Sequence, residues 1–145
     1  MADRRDPFIK LVNMLHRSAF NATKGRIGGR IGGMEAVALT TTGRKTGEKR
    51  TSMLTSPVID GDTVVLIASY GGGPKHPQWY LNLQSNPEVE VTRAGKTITM
   101  TARTAEPDER AELWPRVVKA YKGYAGYQEK TDREIPVVIL TPAAG

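Results

Sequence analysis

The sequence has no cysteine, only two histidines and no long apolar run. Without cysteine there is no disulfide, thiolate metal ligand, iron–sulfur cluster or cysteine nucleophile. The patterns His-Glu-x-x-His and Gly-x-Ser-x-Gly are also missing, so we expect neither a histidine-bound metal nor a serine nucleophile of the hydrolase type. The apolar stretches are far shorter than the ~20 residues of a membrane-spanning helix. These absences turn attention to chemistry supplied by a bound organic cofactor.

The charge of the chain is concentrated in its first third. The 145 residues include 21 Lys+Arg against 15 Asp+Glu, for a formal net charge of +6. Eleven of the cations, but only four of the acids, fall within the first 50 residues. Such a balance favours an anionic partner: nucleic acid, a lipid surface, or a small ligand with carboxylates or phosphates.

Residues 1–34 are predicted to form a segment separate from the rest. Apolar residues recur at steps of three and four over residues 7–20, which predicts an amphipathic helix with a basic polar face. Its apolar face packs on its own domain or, alternatively, on a membrane surface. Residues 24–33 repeat Arg-Ile-Gly-Gly and are predicted to be a flexible connector rather than helix or strand.

Residues 35–145 are predicted to be one mainly β domain with flanking helices. Runs rich in Val, Ile and Thr predict six strands, at 35–42, 51–59, 63–69, 88–93, 96–104 and 135–141. Two helices are expected, near 77–85 and from about 107 to 122. Many short strands with few helices favour a small antiparallel barrel.

The loop between the first two predicted strands is the strongest candidate site. Residues 40–51 contain four cations, several hydroxyls and two glycines. Gly43 and Gly47 allow the backbone to turn, so that Arg44, Lys45 and Arg50 could add charge-assisted hydrogen bonds to an oxyanion. The alternative is a polar hairpin whose Lys and Arg side chains serve solubility alone.

Two further clusters contain the remaining unusual residues. In residues 69–82 a glycine run opens into a helix with Trp79 and Asn82 on one face, although Trp79 could equally belong to the core. Tyr121, Tyr124 and Tyr127 recur at intervals of three, and their phenols could line a pocket or simply pack. The intervening glycines argue against a regular helix over the tyrosines.

Several motifs, in order, resemble the deazaflavin-dependent nitroreductase family of actinobacterial reductases. They are T-T-T-G-R-K-T-G-x-x-R, S-x-G-G, W-Y-x-N-L-x-x-N-P, A-x-x-x-E-R-A-E-x-W-P, the spaced tyrosines and T-D-R-x-I-P-V, which together span residues 35–142. The resemblance implies a split β-barrel of the flavin-reductase and pyridoxamine-phosphate-oxidase type. It also implies the cofactor F420, which has a planar deazaflavin ring and a tail of phosphate and glutamates.

The resemblance also implies a role for each candidate residue. The phosphate and glutamates would be held by Arg44, Lys45, Thr46 and Arg50. The ring would be bordered by Met53, Leu54, Ala68, Ser69, Tyr70 and Gly71, with Trp79 and Asn82 completing the cofactor site. The substrate side would be lined by Tyr121, Tyr124 and Tyr127, with Tyr124 and Ser69 as the catalytic residues.

The function implied by the resemblance is hydride transfer from reduced F420 to a small electron-poor acceptor. The family's acceptors include nitroaromatics, quinones and unsaturated lactones such as coumarin-type mycotoxins. One alternative is an FMN-binding barrel, and another is a non-enzymatic binder of anionic lipid or nucleic acid. Nucleic acid is not expected as a partner, because the basic third has no recognisable reading helix or stacking aromatics. A cytoplasmic monomer or homodimer is expected, with peripheral contact at the inner face of the membrane left open.

Overall fold

The computed structural model describes residues 30–31 and 34–143 of the chain. These residues contain eight β-strands and three α-helices. The strands are β1 (Arg30–Ile31), β2 (Met34–Thr42), β3 (Lys49–Ser56), β4 (Val58–Asp60), β5 (Thr63–Ile67), β6 (Glu88–Arg93), β7 (Lys96–Thr104) and β8 (Val137–Pro142). The helices are α1 (Gln78–Ser85), α2 (Pro107–Ala120) and α3 (Gly123–Glu129).

The strands form one curled antiparallel sheet that is open along a seam. Its order is β1-β2-β6-β7-β8-β5-β4, and β3 pairs separately with β2. Curling brings β3 close to β5, but no ladder joins these two strands. The expected mainly β split barrel is thereby confirmed, and the seam between β3 and β5 is where its wall is incomplete.

The core lies on both faces of β5, which explains why that strand is continuously apolar. Val64 and Leu66 point into the barrel together with Leu39 of β2. Val65 and Ile67 point outward and are covered by a second cluster that includes Val117 of α2. A strand buried on both faces does not show polar–apolar alternation.

Two predicted strand limits are wrong for identifiable reasons. The single strand expected over 51–59 is divided at Pro57, which has no backbone N–H to donate to a ladder. Beside this break, the single Ser56 hydroxyl proton has two carbonyl oxygens within reach, that of Val58 at 2.9 Å and that of Val65 at 2.7 Å. The strand expected over 63–69 ends at Ile67, so Ser69 belongs to the following loop.

The expectation that the tyrosine segment is not a regular helix is also wrong. Residues Gly123–Glu129 form α3, directly after α2. The ring of Tyr121 packs where a side chain at Gly123 would stand, and Gly126 faces open space. Tertiary packing therefore offsets the low helix propensity of the two glycines.

The predicted N-terminal helix over 7–20 lies outside the described residues. Of the predicted connector, Arg30 and Ile31 form the short strand β1, which pairs with the start of β2, so that the prediction of no strand is wrong at this point. The predicted boundary between residues 34 and 35 remains a prediction. Among the described helices, none is long and apolar enough to span a membrane.

Candidate functional site

A groove made of three adjoining cavities runs along the seam. The tyrosine end has a volume of about 380 Å³, the middle about 330 Å³ and the basic end about 360 Å³. The tyrosine end and the middle share Met53, Leu54, Tyr70, Pro77 and Trp79. The middle and the basic end share Gln78 of α1. A long ligand could therefore lie across all three.

The basic end is formed by the hairpin between β2 and β3. The Gly43 N–H donates to the carbonyl of Glu48 at 2.7 Å, and the Gly47 N–H donates to the carbonyl of Gly43 at 2.8 Å. Gly47 has φ +78°, a conformation that favours glycine. This tight turn leaves Arg44 and Lys45 exposed at the cavity wall.

Asn82 of α1 fixes the position of Arg44. Its Oδ1 accepts hydrogen bonds from the Arg44 backbone N–H at 3.2 Å and from Arg44 Nη1 at 2.9 Å. Its Nδ2 donates to the hydroxyl of Thr41 at 3.2 Å, and both Asn82 and Thr41 are buried. The amide thus joins α1 to the hairpin, and its polar atoms are directed at protein groups.

Positive charge exceeds negative charge at the basic end. Arg44, Lys45 and Arg50 line this cavity together with the Thr46 side chain. Among the described residues, the neighbouring carboxylate is that of Glu48, whose Oε1 lies 3.2 Å from Arg50 Nη2. Both members of that pair are exposed, so the pair contributes little and can rearrange around a ligand. The cavity suits a ligand with several negative charges.

The middle of the groove is bordered by a strained 3₁₀ turn over Tyr70–Gly72. Three successive residues have positive φ: Tyr70 at 47°, Gly71 at 64° and Gly72 at 81°. A tyrosine in this region is unusual and costs conformational energy. Tyr70 is 51% exposed, while Trp79 on the same part of the groove is 8% exposed. Trp79 is therefore both a core residue and a groove residue.

Gly72 brings the strained turn into direct contact with α3. A Cβ at this position would lie 2.8 Å from the carbonyl oxygen of Tyr127 and 3.0 Å from its Cα. These are backbone atoms, which cannot move without shifting the helix. The glycine loop, residues 69–73, and α3 consequently form one wall of the groove.

The three tyrosines line the end of the groove in mutual contact. Ring centroids are 5.2 Å apart for Tyr121 and Tyr124, and 6.1 Å apart for Tyr124 and Tyr127. A hydrogen bond with Tyr121 and partial burial raise the pKa of Tyr127 to about 12. Burial also raises the pKa of Tyr124, whose hydroxyl donates toward Met34 Sδ at 3.8 Å. Both phenols are therefore protonated donors at neutral pH.

Ser69 presents a hydroxyl that has no partner within residues 34–143. The residue is 8% exposed and lines the tyrosine end of the groove. Its backbone carbonyl is used by the N–H of Gly72 and by Arg133 Nη2. A buried polar group without a partner costs free energy unless water or a ligand satisfies it. Within these residues, the hydroxyl is thus available to form a hydrogen bond with a ligand oxygen.

The structure brings together all but one of the candidate residues. Ala68 is fully buried, and its side chain lines none of the three cavities. Ala68 follows β5 into the core, where its backbone N–H donates to the carbonyl of Pro136. Its expected place beside the ring remains a prediction. The groove residues that the sequence did not predict are Met34, Ser52, Thr55, Leu66, Ile67, Pro77 and Gln78.

The open antiparallel sheet with a groove along its seam has the architecture of a split barrel. The model of the F420H(2)-dependent quinone reductase family matches residues 13–142. The chain belongs to this family. The enzyme class and the cofactor F420, expected from the resemblance, are thereby confirmed, and the FMN and non-enzymatic alternatives are set aside.

Curated relatives and solved structures agree with this assignment. An F420H(2)-dependent quinone reductase of Mycobacterium tuberculosis is 43% identical over 131 residues, covering 88% of this chain and 87% of that protein. A solved F420-H2 dependent reductase is 46% identical with TM-score 0.66, covering 72% of this chain and 92% of that chain. A structure described as a domain-swapped dimer is 39% identical with TM-score 0.70, covering 93% and 99%.

The groove fits the chemistry of F420. Its basic end offers guanidinium, ammonium and hydroxyl groups for a tail of phosphate and glutamates. Its middle and tyrosine end offer the aromatic side chains of Trp79 and Tyr70 for a planar ring. The donors and the flat surfaces lie in the order that the cofactor requires.

Proposed function

We propose that the chain reduces a quinone-type acceptor bound at the tyrosine end, next to the ring of F420 held in the middle of the groove. The observation that supports this proposal is that the Ser69 hydroxyl, which has no partner within residues 34–143, lines the same cavity as two protonated phenols. A quinone is flat and has carbonyl oxygens that accept hydrogen bonds. When bound in reduced form, F420 supplies the hydride. Nitroaromatics and unsaturated lactones also have oxygen atoms that accept hydrogen bonds.

The basic hairpin has the task of binding the tail. Arg44, Lys45 and Arg50 would pair with phosphate and carboxylate groups, and Thr46 would add a hydroxyl. Because Asn82 holds Arg44 from behind, the guanidinium does not have to be ordered when the ligand arrives. Such preorganisation reduces the conformational entropy lost on binding.

The tyrosine end has the task of orienting the acceptor and stabilising its negative charge. Tyr124 or Ser69 would donate a hydrogen bond to the oxygen on which charge accumulates. The raised pKa of Tyr124 keeps its proton in place before the reaction, so the phenol acts as a donor. Met34, Leu66 and Ile67 add apolar lining to the same cavity.

Titration of the purified protein with F420 and with FMN tests the proposed site. We expect F420 to bind about 10-fold tighter or more, because FMN has no glutamate carboxylates for the basic end. Oxidation of reduced F420 is then followed with menadione, a nitroaromatic and an unsaturated lactone. Comparable affinity for FMN would contradict the tail site, and reduction of the nitroaromatic or lactone but not of menadione would contradict the quinone assignment.

Tyr124→Phe is expected to lower kcat for the quinone by about 10- to 100-fold, because it removes a donor from the site of developing charge. The dissociation constant of F420 should stay within about threefold of the parent value, since no other groove contact is removed. Stopped-flow oxidation of bound reduced F420 measures the first quantity and fluorescence titration the second.

Tyr80→Phe is the matched control for this prediction. Tyr80 is a buried tyrosine of α1 that lines none of the cavities. Its hydroxyl is hydrogen-bonded to Thr104 Oγ1 at 2.7 Å. Tyr80→Phe should lower the free energy of unfolding more than it lowers kcat. Parent-like kcat in the Tyr124 variant would remove Tyr124 from the proposed role.

Assembly and location remain predictions. A homodimer is our proposal for the assembly, supported by the related structure described as a domain-swapped dimer. Peripheral membrane contact depends on residues 7–20, which lie outside the described part of the chain. The cytoplasmic location is likewise proposed.

A further inference from the structure

Arg133 holds the glycine loop through four polar contacts from one side chain. Its Nε donates to the carbonyl of Gly73 at 2.9 Å, and Nη2 donates to the carbonyl of Ser69 at 2.8 Å. Its Nη1 lies 3.2 Å from the carbonyl of Ala68 and 2.9 Å from His76 Nδ1. The guanidinium therefore contacts both ends of the strained turn, which the planar, forked geometry of arginine allows.

The backbone of Arg133 is held by α3. Gln128 Nε2 donates to the carbonyl of Arg133 at 2.8 Å, and Gln128 Oε1 accepts the N–H of Ile135 at 2.9 Å. The same Oε1 accepts from Arg110 Nη2 at 3.1 Å. Arg133 thus joins the helix that contains Tyr124 to the loop that contains Ser69.

His76 is a neutral acceptor in this arrangement. Arginine has no acceptor, so Nδ1 of His76 must carry a lone pair toward Arg133 Nη1. Burial, and secondarily the charge of Arg133, lower the pKa of His76. The ring of Tyr80 packs against that of His76, with 4.9 Å between the two ring centroids. The protonation of His76 therefore reports on the presence of the guanidinium.

We propose that Arg133 is a positioning residue, which fixes the distance between the Ser69 hydroxyl and the phenols of α3 so that both reach one acceptor oxygen. The inference rests on the proposed function. The turn needs such a support because three successive residues have positive φ, including the non-glycine Tyr70. The basic end, which contacts the tail, lies elsewhere in the groove and does not depend on Arg133.

Arg133→Met and Arg133→Lys test the proposal, with Arg116→Met as control. Arg116 is an exposed arginine whose guanidinium pairs with Asp60 on the surface. We expect kcat of Arg133→Met to fall about 100-fold, as small misplacements of reacting groups can produce. The F420 dissociation constant should change by about threefold or less, because the tail contacts persist. Lysine can satisfy fewer of the four acceptors and should give an intermediate kcat.

Two readouts on the protein without cofactor separate positioning from activity. Loss of the guanidinium should raise the NMR-measured pKa of His76 toward its ordinary value of about 6.5. Hydrogen exchange at the amides of Gly72 and Gly73 should accelerate about 10-fold or more, because the loop loses its charge-assisted contacts. The amides of β6 and β7 should exchange as in the parent.

The outcomes distinguish this proposal from the proposed function. Parent-like exchange and kcat in Arg133→Met would overturn the positioning role. A fall in kcat matched by equal loss of F420 affinity and of β6–β7 protection would make Arg133 merely structural, which also overturns it. If Arg133→Met does not fold, Arg133→Lys is measured in its place. If the parent itself reduces no acceptor, the proposed function fails, while exchange and the His76 pKa still decide whether Arg133 fixes the loop.

Discussion

Arg44→Glu should raise the dissociation constant of F420 by about 100-fold, since it removes charge-assisted hydrogen bonds and places a carboxylate against an anionic tail. Arg44 is the cation whose guanidinium Asn82 holds at the cavity wall. Fluorescence titration of F420 at low and high salt measures the effect. The difference between parent and variant should shrink as salt rises, because exposed charges are screened.

Lys119→Glu is the matched control, because it makes the same change of charge at an exposed position on α2. It should leave the F420 affinity close to that of the parent. Asn82→Leu retains the charge of Arg44 but removes its anchor, so it should weaken binding by about 10-fold, the amount expected for one lost hydrogen bond to a charged group. Equal affinity in the parent and Arg44→Glu would place the tail elsewhere.

Gly72→Ala should lower the free energy of unfolding by about 2–5 kcal/mol, combining left-handed strain with overpacking against backbone. It should also abolish most turnover. A Cβ at Gly72 would lie 2.8 Å from the Tyr127 carbonyl oxygen, so the turn and α3 must separate. Urea unfolding and kcat, measured on the same preparations, test both expectations.

Substitutions at two other glycines separate the cost of backbone strain from the cost of the steric clash. Gly71 has φ +64° but open space around it, so Gly71→Ala should show the cost of strain without a clash. Gly126 lies in α3 with open space and no positive φ, so Gly126→Ala should stabilise the helix by about 0.5–1 kcal/mol. If Gly72→Ala were no worse than Gly71→Ala, close contact between loop and helix would not be the cause.

The sequence predicted the local chemistry of the site better than its supports. The cations of the hairpin, the Trp79–Asn82 spacing and the tyrosines stand out by residue type within short segments. The residues that lie next to them in space are close in sequence too, within one hairpin or one helical turn. This explains why the basic end was predicted nearly complete.

The missed features depend on contacts between distant segments. Arg133 lies 60 residues from Gly73 in the chain, and an arginine in a loop has no local feature that indicates a structural partner. The helix over the tyrosines packs on the turn at Gly72, and its Gln128 side chain bonds to the backbone of Arg133 and Ile135. Local propensity does not register these contacts. The burial of Ala68 where the chain leaves β5 could not be predicted from the alternation of residue types.

The helix α1 has a consequence for how this enzyme can vary. Trp79 lies in the part of the groove assigned to the ring, and Asn82, three residues later, anchors the basic end. The rise along the helix between Trp79 and Asn82 is thus that of three residues, about 4.5 Å. Hairpin tips can gain or lose residues without altering this spacing. A single insertion within α1 would rotate one end by about 100° relative to the other, because an α-helix has 3.6 residues per turn. Length variation among relatives should therefore spare this helix.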